Sequence, residues 1–222
     1  MLTIHGVPIS VHTRKAIVTA LLKGLAFRNE PVIPFDPPEN WRDLSPAGTI
    51  PALSHDGFRI ADSNAICAYI DRLQPSPAIY PAEARALGHA LWLEQYATSV
   101  LFRQVVQPLF HQKVIRPRIL GEGEPDETIV ARAQETATLA FAYLEAGIEG
   151  PYLAGSALSI ADIAVVSSLI NYRYLGYSLD VQRTPKLSAW FAAMLAERAV
   201  AVALADEAAF ADPMRFDRSF VA

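Results

Sequence analysis

The chain has 222 residues, a formal net charge of −4, 52% hydrophobic residues and 19% charged ones. That length fits one large domain or two modest ones with a sizeable core, and the composition excludes a largely disordered chain. The acidic balance offers no basic field for nucleic acid or anionic lipid, so neither a nucleic-acid nor a membrane partner is expected. No apolar run reaches the roughly 20 residues that cross a bilayer, and the opening MLTIHGVPIS lacks the basic-then-apolar order of a signal peptide. The single cysteine, Cys67, leaves no internal disulfide and no cysteine-based metal cluster, so no metal and a cytoplasmic setting are expected.

Taken along the chain, Leu2–His5 reads as a short strand. The stretch VHTRKAIVTALLKG follows with Ala16, Ala20 and Leu21 at helical spacing and Gly24 placed as a C-cap. Ala26–Pro34 reads as a second strand, with Pro31 marking an edge or bulge. ENWRDLS has room for one or two helical turns. Ala52–Ser54 and Phe58–Ala61 flank an Asp-Gly pair, a hairpin signal. NAICAYIDRL then sets Ile66, Tyr69, Ile70 and Leu73 on one helical face. The order is β-α-β-α-β-β-α. The first two strands are joined by a helical crossover and are therefore expected parallel, the last two antiparallel.

QPSPAIYP, with three prolines in eight residues, breaks the pattern and reads as a linker, so the expected domains are 1–80 and 81–222. Everything after it is helical. Residues 82–106 read as one long helix, with Pro108 as a kink. A second helix follows Pro125. LSIADIAVVSSLINYRYL carries Ser159 at the N-cap and Asp162 at N3, a capping box in which Asp replaces the usual Glu. Replacing Asp162 by Ala is expected to cost about 1 kcal/mol or more. Thr184 is placed as the N-cap of the last helix, with Pro185 at N1.

SPAGTIPAL (Ser45–Leu53), IADSNAICAYI (Ile60–Ile70) and GSALSIADI (Gly155–Ile163), in this order and with the linker between the second and third, resemble the cytosolic glutathione transferase family, in its serine-type form. The resemblance implies an α/β N-terminal domain of thioredoxin-like fold and an all-α C-terminal helical bundle. It implies glutathione as co-substrate, conjugation of its thiolate to a small electrophile, and a homodimer; peroxidase or isomerase chemistry would use the same thiolate. The alternative is the same scaffold used without catalysis, as a ligand carrier or interaction module.

The resemblance also assigns residues. The Ile50–Pro51 bond is expected to be cis, turning the Ile50 backbone outward to pair with the cysteinyl unit of glutathione. Asp62 and Ser63 would take the α-ammonium and α-carboxylate of its γ-glutamyl end; read without the resemblance, they cap a helix. Beside the thiol the family carries Tyr, Ser or Cys. IHGVPISVHTRK has no Tyr or Cys; Ser10 fits the serine position, Thr13 is the second candidate and His12 the third. Serine there would donate to the thiolate. Cys67, inside a helix among apolar neighbours, reads as core. The family often carries Lys, Arg, His or Trp near the glycine end of glutathione; here Arg42 is placed either to reach it or to face solvent, Trp41 reads as a core anchor, and Gly48 falls where some members carry histidine. Arg103, Gln107 and His111 recur at i, i+4, i+8: a possible second-substrate face, or a solvated one. Tyr172, Tyr174 and Tyr177 are candidate aromatic walls.

Overall fold

The computed structural model describes residues 1–221 as two compact units. The first joins Met1–Ala82 with Ala196–Arg215; the second runs over Glu83–Leu195 and takes in the chain from Phe216 onward.

In the first unit, β1 (Leu2–His5), α1 (Val11–Leu22), β2 (Phe27–Glu30), α2 (Trp41–Leu44), β3 (Ala52–His55), β4 (Phe58–Ala61) and α3 (Ser63–Leu73) reproduce the β-α-β-α-β-β-α order. The sheet runs β2-β1-β3-β4, with β1 and β2 parallel and the other pairs antiparallel. Period-2 alternation gives it two different faces. Leu2, Ile4 and Leu53 are buried together on one, where α1 and α3 pack. The other carries Thr3, His5, Ser54 and Arg59, with Trp41 set over Val32, Ala52, Leu44, Ile50 and Ala61. Trp41 is thus a core anchor. Between β3 and β4, Asp56 and Gly57 both have positive φ, as a two-residue hairpin with the strands' own twist requires. α1 ends at Gly24, which is left-handed; the Gly24 and Leu25 N–H groups close back onto Leu21 and Ala20. β2 is shorter than the sequence suggests and stops before Pro31, which has no N–H to continue the ladder.

The second unit holds α4 (Ala84–Tyr96), α5 (Gln107–Phe110), α6 (Glu127–Gly147), α7 (Ile160–Tyr174) and α8 (Pro185–Ala196). A helical run passes through Pro108, from Ala84 to Leu120, widening to π-type turns over Ala97–Val106 and His111–Leu120. Gln107 N–H reaches back five residues to Phe102. Such turns accommodate a ring that lacks an N–H, and Pro108 and Pro117 each sit beside or within one. α7 is buried on almost every side. Its entry is the capping box: the Asp162 carboxylate accepts Ser159 N–H at 2.9 Å, the Ser159 hydroxyl at 3.0 Å, Leu153 N–H at 2.8 Å and Trp190 Nε1–H at 3.0 Å. Burial nonetheless pushes its pKa up, the four donors only partly offsetting the lost solvation. Thr184 does not cap α8 with its side chain. Its hydroxyl donates to the Asp180 carbonyl, and the Glu145 carboxylate of α6 takes the Lys186 and Leu187 N–H groups at 3.1 and 2.8 Å.

The all-helical stretch 81–222 is therefore not one unit. α9 (Arg198–Asp206) and α10 (Ala208–Ala211) belong with the first, where the Arg14 guanidinium donates to the Glu207 carboxylate through Nε and Nη2, each at 2.9 Å, and to the Ile9 carbonyl at 3.2 Å. Both side chains are fully buried, which only such a bidentate pair makes tolerable.

Candidate active site

Three stretches converge at the end of β1. Gly6 has φ +148°, and a Cβ built there would lie 2.5 Å from the Thr13 hydroxyl oxygen and 3.2 Å from Ile50 Cβ. The mouth of α1 and the loop before β3 therefore close onto one glycine. The mouth of α3 joins them through His12, whose Nδ1 is 3.4 Å from Ser63 Oγ.

Ser10 is the N-cap of α1, with extended backbone (φ −70°, ψ 133°). Its carbonyl accepts Arg14 N–H at 2.8 Å, and its hydroxyl oxygen accepts Thr13 N–H at 3.5 Å. As acceptor in the cap, the hydroxyl keeps its proton for an outside acceptor. It is half-buried, and no acidic residue in the first turn of α1 offsets the positive helix end. Thr13 is placed differently. It has no exposed surface, and its hydroxyl is enclosed against Gly6. It cannot reach a ligand thiol, which removes it as the second candidate. His12 is half-buried beside Ser63.

The Ile50–Pro51 peptide is cis. Ile50 enters no backbone hydrogen bond among the described residues, and β3 begins just after the proline. Asp62 has φ +78° and caps α3: its Oδ1 accepts the Asn64 and Ala65 N–H groups at 2.8 and 3.3 Å. The helix-cap reading thus holds for Oδ1, while Oδ2 has no partner among the described residues and Asp62 is exposed. Ser63, the first residue of α3, is 4% exposed. Lys15, buried inside α1, donates to Asn64 Oδ1 and sets a cation beneath the start of α3. Sequence reasoning passed over Lys15 and Asn64. The one signal was a lysine within an otherwise apolar helical stretch.

Arg42 is exposed, donates to the Pro46 carbonyl at 3.0 Å, and lies over Gly48, where a Cβ would meet its guanidinium at 3.2 Å. Its cation therefore occupies the space that a side chain at position 48 would need. Cys67 is fully buried, with its Sγ 3.3 Å from the Thr19 hydroxyl, as a core residue. In the second unit Arg103, Gln107 and His111 are all exposed. Tyr172 and Tyr174 are core rather than walls. The Tyr172 hydroxyl donates to Gln134 Oε1 at 2.8 Å and its pKa is pushed up to about 12 by burial, while Tyr174 stacks on Phe216.

The fold of the first unit is thioredoxin-like, and a helical unit follows it. Residues 4–78 match the family model for the glutathione S-transferase N-terminal domain and residues 98–197 that for its C-terminal domain. The chain belongs to the glutathione S-transferase family. It is 27% identical over 164 residues to glutathione S-transferase hmp2 of Hypomyces subiculosus, covering 71% of this chain and 76% of that one. To the maleylacetoacetate isomerase of Mus musculus it is 27% identical over 153 residues, 68% and 65% of the two chains. Among solved structures, a glutathione S-transferase from Rhodospirillum rubrum F11 superposes with TM-score 0.89 at 24% identity, covering 100% of this chain and 98% of that one. The theta class glutathione S-transferase of Xanthomonas axonopodis pv. citri, solved with glutathione bound, superposes with TM-score 0.79 at 26% identity, covering 91% and 96%.

Proposed function

We propose that the protein is a glutathione transferase that binds glutathione on its first unit and adds the thiolate to a small electrophile. The observation that carries this is Ser10: a half-buried hydroxyl at an uncompensated helix N-terminus, acceptor in its own cap and free to donate. A free thiol has a pKa near 8.5, so only a few per cent is ionised at neutral pH. Lowering that by two units takes about 2.7 kcal/mol of preference for the anion. A hydroxyl donating to a charged acceptor contributes roughly 1.5–3 kcal/mol, and a helix N-terminus roughly 0.3–1 kcal/mol more. No base is needed.

The rest of the peptide is held as its chemistry requires. Ile50, with no backbone partner among the described residues, pairs with the cysteinyl unit beside Pro51. Ser63 at the mouth of α3, above the Lys15 cation, takes the γ-glutamyl carboxylate. Asp62 Oδ2 takes its ammonium. Arg42, lying over Gly48, supplies the cation for the glycine carboxylate. The electrophile then accepts the sulfur lone pair, and its leaving group departs, or a proton is added where it is a Michael acceptor. Localisation in the cytoplasm and assembly as a homodimer belong to the same reading. Its test is steady-state conjugation of glutathione to 1-chloro-2,4-dinitrobenzene. Ser10→Ala is expected to lower kcat/KM by about 10- to 150-fold, the rate equivalent of one charge-assisted hydrogen bond. An unchanged value removes Ser10 from the chemistry.

A further inference from the structure

On the opposite side of the sheet from α1 and α3, three side chains from three adjacent strands form a line. Glu30 Oε2 of β2 lies 3.0 Å from His5 Nδ1 of β1, and His5 Nε2 lies 2.9 Å from Ser54 Oγ of β3. The register that pairs His5 with Glu30 and Thr3 with Ser54 puts all three on one face. The carboxylate selects the tautomer: Nδ1–H donates to Glu30, which leaves Nε2 to accept from the Ser54 hydroxyl. The His5 segment is also fixed, because Asn29 Nδ2 donates to the carbonyls of Ile4 and Gly6 on either side of it, each at 3.0 Å.

His5 and Ser54 line an open cleft of about 710 Å³, large enough for a small organic ligand. Its wall includes the largely buried Trp41. Its ring stands beside the imidazole, with centroids 6.4 Å apart. Base, orienting carboxylate and hydroxyl thus share one cleft, and none of them takes part in the glutathione chemistry described above.

We propose that Ser54, His5 and Glu30 form a second, glutathione-independent centre that hydrolyses small carboxylic esters through an acyl-enzyme. Ser54 Oγ attacks the ester carbonyl and its proton passes to His5 Nε2. The intermediate collapses, the ester C–O bond breaks, and the leaving alcohol takes the proton from Nε2. Water then adds to the acyl carbon while His5 accepts its proton; Ser54 leaves and is reprotonated, so ester and water become acid and alcohol. Glu30 acts through His5 and is a positioning residue. The charged groups around His5 are Glu30 and Arg28 of β2, Asp43 of α2 and Arg59 of β4. Burial lowers the His5 pKa and Glu30 raises it in part, which keeps the imidazole neutral, as a base must be, to lower pH than usual.

The test is p-nitrophenyl acetate with the full chain and no glutathione, followed by peptide mapping of the acetylated protein. A burst of p-nitrophenol with the acetyl group on Ser54, undiminished by saturating glutathione, is expected. Ser54→Ala should abolish the burst, and His5→Gln should slow acylation about a hundred-fold or more. Glu30→Gln should move the acid limb of the acylation–pH profile to lower pH, which a merely structural glutamate would not do. Absence of a burst, an acetyl group on another residue, or a burst unchanged in Ser54→Ala would overturn the proposal. If Ser54→Ala does not fold, mapping the label in wild type and the His5→Gln rate decide alone. The glutathione reading stands or falls separately, since its Ser10 site is not involved.

Discussion

In the proposed reaction Ser10 uses the two sides of one hydroxyl for different ends: the oxygen accepts from the α1 backbone, and the proton would be left for the ligand. Its neighbours show why position counts for more than residue type. Thr13 carries the same group three residues on and is sealed against Gly6. That contact makes Gly6 a demanding site. A Cβ would both strain a φ of +148° and strike the threonine oxygen, so Gly6→Ala should lower stability by about 2 kcal/mol or more. Urea unfolding monitored by circular dichroism would show it. Arg42 makes the complementary point on the ligand side. In the proposed reaction it contributes binding alone, so Arg42→Ala should raise KM for glutathione about tenfold with kcat little changed; a change confined to kcat would place it elsewhere.

At the scale of elements, local signals were readable and distant ones were not. The Asp-Gly hairpin, the Gly24 cap and the Ser159–Asp162 capping box are written within a few residues, and each is present in the fold. The cap of α8 was missed because its acceptor, Glu145, lies 41 residues away on α6. The wide turns on either side of Pro108 were missed because they depend on how a proline is accommodated, which no periodicity records. Asp162 was legible as a cap but underestimated. It also holds Leu153 and Trp190, so Asp162→Ala orphans four buried donors at once. The cost should be about 3 kcal/mol or more, a fall in thermal midpoint of about 6–12 °C for a chain of this size. A midpoint unchanged by differential scanning calorimetry would refute it.

For the whole molecule, the linker at 74–81 was visible in the prolines, but the return of α9 and α10 to the first unit was not, because it rests on a pair 193 residues apart, Arg14 with Glu207. Breaking that pair from one side leaves a buried charge, so Glu207→Ala should cost about 3–5 kcal/mol. Replacing both partners, as Arg14→Met with Glu207→Leu, should recover most of the loss. Denaturant unfolding of the single and double variants would separate the pair's own contribution from the cost of orphaning one charge.

The central claim, that Ser10 holds glutathione as its thiolate, is tested most directly by ultraviolet difference titration of the bound thiol in wild type and Ser10→Ala. The account predicts a thiol pKa about two units below the free value of roughly 8.5 in wild type, returning most of the way in the variant. A bound thiol with an unshifted pKa, or one depressed equally in both proteins, would contradict it.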